Sequence, residues 1–172
     1  MPPINRAALV HLAEYLFRCT LLLTFLGRFN GVKQEILMKR AAIVLSGRYG
    51  SYELLRDFIA LFAEEERYSF PFVEALQLSM KEAFVNAIRH GNSGREDLTV
   101  SCKLTASPSI LLAFVRDCGK GFNPDDQPSP VNPLHLFKLS GRGIYIIRSI
   151  AEIIALERDV DGSTLVLRYI PY

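Results

Sequence analysis

Two polar residues four apart interrupt an apolar stretch, Glu82-Ala83-Phe84-Val85-Asn86-Ala87-Ile88-Arg89-His90-Gly91-Asn92. On a helix they share one face. The carboxylate can accept a proton and the carboxamide oxygen can bind a hard cation such as magnesium, so the pair can serve one site. The same spacing also suits a solvated helix face with an ordinary i,i+4 hydrogen bond. A second group, Asp117-Cys118-Gly119-Lys120-Gly121-Phe122, places an acid before alternating glycines. The glycines let the backbone approach a flat ligand, and the acid can accept from an amino group on it. Its plain alternative is a glycine turn opened by Asp. In the third, Ser140-Gly141-Arg142-Gly143-Ile144, glycines precede an apolar helical pattern. Unpaired N–H groups at a helix start attract anions, although the group also fits a loop-to-helix hinge. It is not the phosphate loop G-x-x-x-x-G-K-[ST], nor G-x-G-x-x-G after a strand.

The elements that must position these groups are legible in outline. A strand is expected at Ala41–Leu45, closed by Ser46-Gly47. Leu54, Leu55, Phe58, Leu61 and Phe62 predict a helix over Ser51–Glu66, with Ser51 as N-cap. Pro71 suits a first helical turn capped by Ser69, and the stripe Val73, Leu76, Met80, Ala83, Phe84, Ala87 carries that helix to Arg89 before Gly91-Asn92 ends it. Leu98–Leu104 alternates as a half-buried strand, and Ile110–Val115 is continuously apolar, as a central strand is. Phe122–Ser140 holds four prolines and no period, the composition of a functional lid. A helix follows over Gly143–Glu152. Two strands, Ile153–Arg158 and Thr164–Ile170, then flank Asp161-Gly162, a hairpin signal. The order β-α-α-β-β-lid-α-β-β predicts an α+β fold: a two-layer sandwich, mostly antiparallel sheet with helices on one face.

Composition narrows the function classes. The chain has 172 residues, 20 Lys+Arg and 18 Asp+Glu, a net charge of +2. That length supports one domain with a real core. Residues 1–38 hold four bases and two acids, and residues 39–172 hold sixteen of each sign, so the body has no overall field for nucleic acid. Cys19, Cys102 and Cys118 show no metal-ligand spacing, and their number suits a reducing cytoplasm better than a disulfide scaffold. The longest uncharged apolar stretch near the start, Cys19–Gly27, falls well short of the roughly 20 residues a membrane span needs.

In order and spelling, the three groups resemble the Bergerat ATP-binding fold shared by gyrase, heat-shock chaperones, histidine kinases and mismatch-repair ATPases. E-A-F-V-N-A-I-R-H-G and G-R-G-I-Y-I-I-R, with the short lid, are most similar to the bacterial anti-sigma factor serine/threonine protein kinases. The resemblance covers residues 39–172 as a histidine-kinase-like ATP-binding domain and leaves 1–38 as an apolar N-terminal extension of separate character. It implies ATP and magnesium as cofactors. It implies that Glu82 is the catalytic base, that Asn86 binds magnesium and phosphate oxygens, and that Asp117 accepts from the adenine amine. Gly119 and Gly121 would shape the base pocket, and Gly141, Arg142 and Gly143 would meet the phosphates. Ser163 would stand beside Asp117, unless the register gives that place to Thr164. The implied partners are a sigma factor and an antagonist protein that is phosphorylated, and the implied assembly is a homodimer.

Two rivals stand beside the kinase. One is a nucleotide-dependent module that switches partners without phosphotransfer. The other, the ATP-binding half of a histidine kinase, is opposed by the lack of an H-E-x-[RK]-x-P-like phosphoacceptor motif and of a preceding dimerising hairpin.

Overall fold

The structure, a computed structural model, describes residues 38–119 and 142–172. The expected N-terminal extension, apart from Met38, and the lid at 122–140 lie outside the described residues, as do Gly121 and Gly141. Five strands form one antiparallel sheet: β1 (Lys39–Ser46), β2 (Thr99–Ala106), β3 (Leu111–Asp117), β4 (Glu152–Asp159) and β5 (Gly162–Tyr169), in the spatial order β1-β2-β3-β5-β4. Three α-helices are described: α1 (Tyr52–Glu66), α2 (Phe70–Asn86) and α3 (Gly143–Ile150). This is the α+β sandwich that the element order predicts.

Alternation decides which sheet face is covered. The pairs Ala41↔Leu104, Leu104↔Ala113 and Ala113↔Leu167 form one buried row, and Leu45↔Val100 and Cys102↔Val115↔Leu165 lie on the same face. Side chains two apart on a strand point the same way, so this face is apolar along its length. It packs against Leu55, Phe58, Ile59 and Phe62 of α1, Phe72, Leu76, Met80 and Phe84 of α2, and Ile144 and Ile147 of α3 in one core. The spacing of those residues, three or four apart, is that of a helix burying one stripe. A buried hydrogen bond of 2.8 Å between Ser79 and the Tyr169 hydroxyl joins α2 to the far end of β5.

Local signals set the helix ends, with corrections at Ser51 and at the end of α3. Ser69 caps α2, its hydroxyl accepting from the Phe72 N–H at 3.4 Å, and Pro71 occupies the first turn. Ser51 does not cap α1. It closes a 3-10 turn over Tyr49–Ser51, with helical φ −68° and ψ −10°, and makes no cap hydrogen bond. Capping requires extended backbone at that position, so the Ser51 hydroxyl pairs instead with that of Ser46 at 2.8 Å. The last helix is shorter than expected. Ala151 is extended (φ −135°, ψ 154°), and β4 begins at Glu152.

Candidate nucleotide site

Asp117 is the last residue of β3 and stands on the core face, in line with Val115 and Ala113, where alternation calls for an apolar side chain. It is 5% exposed. Burial pushes its carboxyl above the usual range, opposed by the Gly119 N–H, by Arg116 and by the Ser163 backbone. The Gly119 N–H donates to Asp117 Oδ1 at 2.8 Å. Ser163 is the register partner of Asp117 and is fully buried, and its hydroxyl has no hydrogen-bond partner. Thr164 points to the opposite face, where its hydroxyl accepts from Arg116 at 3.3 Å. The register therefore puts Ser163, not Thr164, beside Asp117.

The helix α2 reaches this point through a distortion. Residues Ala87–Gly91 form a π turn, closed by the Asn92 N–H on the Ala87 carbonyl at 2.7 Å. Single π turns of this kind recur at functional sites. Here the turn presses Gly91 flat against the acid: a Cβ on Gly91 would lie 2.1 Å from Asp117 Cγ and 2.3 Å from its Oδ2. Gly119 comes down on the other side, over the Gly91 carbonyl. Sequence reading takes Gly91 only as a helix terminator. Its contact with Asp117 depends on a strand that begins twenty residues later.

N-terminal to Gly91, Glu82 and Asn86 share a half-buried flank of α2, as their spacing predicts. The start of α3 lies on them. A Cβ on Gly143 would be 2.9 Å from Glu82 Oε2, 3.4 Å from Asn86 Nδ2 and 3.6 Å from Asn86 Oδ1. Glu82 and Asn86 thus meet Gly143, more than fifty positions away in sequence, at one helix N-terminus. Arg142 precedes the helix as its exposed N-cap residue. Asn86 Nδ2 is buried and has no hydrogen-bond partner among the described residues. An unpaired buried donor costs about 1–3 kcal/mol, and a phosphate oxygen placed there would relieve that cost. The amide oxygen is a donor atom suited to a hard cation. Among the described residues, no group of three or more His, Cys, Asp or Glu is arranged to hold a metal by itself. A magnesium ion held by one carboxamide and by ligand phosphates fits that chemistry.

Asn92 is the residue that sequence reading misses. It is 1% exposed; its Nδ2 donates to the Thr99 carbonyl at 3.0 Å and its Oδ1 accepts from the Cys118 N–H at 2.9 Å. A Gly-Asn pair at a helix end reads as a stop signal, and nothing local marks the side chain as buried.

Comparison with known proteins assigns the chain's family. Residues 45–169 match the histidine kinase-like ATPase domain family. The serine-protein kinase RsbW of Listeria monocytogenes serovar 1/2a is 22% identical over 114 residues, which cover 63% of this chain and 73% of that protein. The serine-protein kinase RsbW of Listeria innocua serovar 6a is equally similar, 22% over 114 residues. Among solved structures, the RsbU and RsbW domains of Rv1364c from Mycobacterium tuberculosis match 77% of this chain with a TM-score of 0.50 and 16% identity, which shows a shared fold. This chain spans about a third, 32%, of that longer chain. Among the described residues no helix is long and apolar enough to cross a membrane. The chain belongs to the histidine kinase-like ATPase domain family, and the relatives it matches there are serine-protein kinases, in line with the resemblance its motifs carry.

Proposed function

We propose that this protein is an ATP-dependent serine/threonine protein kinase of the anti-sigma factor type, acting in the cytoplasm as a homodimer that holds a sigma factor until a small antagonist protein displaces it and that phosphorylates this antagonist to release it. The observation that carries the reading is the convergence of Glu82, Asn86 and the N-terminus of α3 at Gly143. A base, an amide and a helix start in one place are what phosphoryl transfer needs, since its catalysis is mostly positioning and charge stabilisation.

The parts divide the work as follows. Asp117 accepts from the adenine amine, with the Ser163 hydroxyl beside it. Gly91 and Gly119, packed against Asp117 and each other, border the base pocket, a role the resemblance also gives Gly121. Asn86 Oδ1 holds magnesium, and its Nδ2–H bonds a phosphate oxygen. The backbone N–H groups around Gly141, Arg142 and Gly143 bind the terminal phosphates, helped by the helix dipole. Held by Asn86, a magnesium ion would supply charge neutralisation to the phosphates. Glu82 takes the proton from the partner's serine hydroxyl while that oxygen bonds to the γ-phosphorus. The bond from that phosphorus to the β–γ bridging oxygen breaks, and ADP leaves.

Glu82→Ala should keep ATP and partner binding and slow transfer by ~100- to 10,000-fold, the usual worth of a general base. Asn86→Ala should weaken both magnesium–ATP binding and transfer, because it removes a ligand. The assay is transfer of labelled phosphate from ATP to the captured antagonist, beside ATP titration of each variant. Full transfer by the Glu82 variant excludes the base role. ATP-dependent partner capture with no transfer by the wild type assigns the protein to partner switching instead.

A further inference from the structure

The β2–β3 ladder stops short of its own register. Ser101 pairs with Arg116, so the same antiparallel register carried two residues further would set Thr99 opposite Cys118. Those two backbones meet through side chains instead: the Cys118 thiol donates to the Thr99 carbonyl at 3.5 Å, and the Asn92 side chain bonds both backbones. The Asn92 carboxamide donates to the Thr99 carbonyl at 3.0 Å and accepts from the Cys118 N–H at 2.9 Å. A carboxamide has the donor and acceptor of a peptide group, so Asn92 is spliced into the ladder as a spacer between the strands. It is itself anchored on the π turn by its N–H on the Ala87 carbonyl, and the Arg95 N–H donates to its own carbonyl at 3.1 Å.

The spacer acts on the turn that holds Asp117. With Cys118 held by Asn92, the chain turns so that the Gly119 N–H reaches Asp117 Oδ1 at 2.8 Å and Gly119 lies over the Gly91 carbonyl. That fixes one carboxylate oxygen and leaves the other, Oδ2, lying over Gly91. Without the spacer, Thr99 and Cys118 have complementary groups in register and can pair directly, drawing the turn toward β2. A buried carboxamide bonded at both ends is worth keeping in a core only if both bonds persist.

We propose that Asn92 is a positioning residue for base recognition, holding the Asp117-Cys118-Gly119 turn away from β2 so that the Asp117 carboxylate faces the purine amino group. This rests on the reading that ATP binds with its adenine at Asp117. Asn92 touches no part of the nucleotide itself; it acts through Asp117.

The test compares ATP with the triphosphate of purine riboside, which lacks only the 6-amino group. Calorimetric titration should show the wild type preferring ATP. Asn92→Ala should weaken ATP binding by roughly 5- to 30-fold, the range expected for one misaligned charged hydrogen bond. It should leave affinity for the desamino nucleotide unchanged, so the preference collapses. A residue that merely supports the fold would lower the melting temperature without moving that ratio. If the alanine variant does not fold, magnetic resonance on the wild type decides. The Asn92 side-chain amide and Cys118 backbone amide should then shift more with ATP than with the desamino nucleotide, and equal shifts overturn the inference. A wild type that binds the two nucleotides equally, or neither, overturns the base contact at Asp117 and this inference with it. A wild type that prefers ATP, with an Asn92→Ala variant that keeps the preference, overturns the inference alone.

Discussion

Asp117 carries a conflict between stability and binding within one side chain. Burial raises its pKa above the ordinary 3.8. A carboxyl raised on folding contributes stability that is fully present below the unfolded pKa and is lost as pH rises through the folded value. The nucleotide-free protein should therefore gain stability as the solution is acidified through that window. ATP affinity should fall over the same window, because the protonated carboxyl is a poorer acceptor. Asp117→Asn removes the buried charge and should melt higher than wild type near neutral pH, with a flatter pH profile. Asp117→Ala should bind ATP about 5- to 150-fold more weakly. Thermal melts across the acid range, paired with ATP titrations, check both signs; parallel trends in the two curves would contradict the account. Asp117, Glu82 and Asn86 are legible in sequence because acid, amide and glycine types announce themselves at recognisable spacings. Ser163 is legible only to within one residue, since a one-residue slip exchanges sheet faces. Asn92 is illegible because its side-chain partners, Thr99 at the start of β2 and Cys118 just past β3, meet it through an approach of segments that no local pattern encodes.

At the level of elements, two glycines should respond differently to the same substitution. In Gly143→Ala the new methyl meets Glu82 Oε2 at 2.9 Å, the mobile end of a half-buried side chain. That carboxylate can swing aside, so the variant should fold nearly as well as wild type and lose phosphotransfer. In Gly91→Ala the methyl meets the Asp117 Cβ and Cγ at 2.5 and 2.1 Å, atoms held in the core. Overpacking there should cost about 1–3 kcal/mol, a fall of roughly 2–4 °C per kcal/mol for a domain of this size. Equal melting temperatures for the two variants would show that the surroundings of Gly91 yield as readily as Glu82. The elements themselves are largely readable, because helix stripes such as Leu55-Phe58-Phe62 and strand alternation such as Val100-Cys102-Leu104 carry different periods, although Leu54 and Leu61, read into that stripe, stand exposed and Ile59 is buried instead. The π turn is not readable. Ala87–Gly91 continues a helical pattern by composition, and the turn brings Gly91 against Asp117, a residue at the end of a distant strand.

Across the whole molecule, the matched family covers residues 45–169 and the first described strand begins at Lys39. We expect residues 39–172 to be the ATP-binding domain and 1–38 to be separable from it. A chain starting at Met38 should give the same thermal melt and ATP affinity as the full chain; a domain that unfolds without residues 1–37 would make them part of the core. The strand order was beyond the sequence. The hairpin β4–β5 is local, and Asp161-Gly162 marks its turn, but only the structure shows that β5, not β4, lies against β3.

That seam has a dynamic consequence. Asp117↔Ser163 is the terminal rung of the β3–β5 ladder, and beyond it the strands have no further rung to share. Terminal rungs open by local fraying, at a far smaller free energy than global unfolding. The Ser79–Tyr169 bond clamps β5 at its opposite end, so opening is directed to the Asp117 end. Amide exchange should therefore be fastest at Ser163 and slow progressively toward Leu167, and a nucleotide seated on this rung would act as a zip, slowing exchange from that end inward.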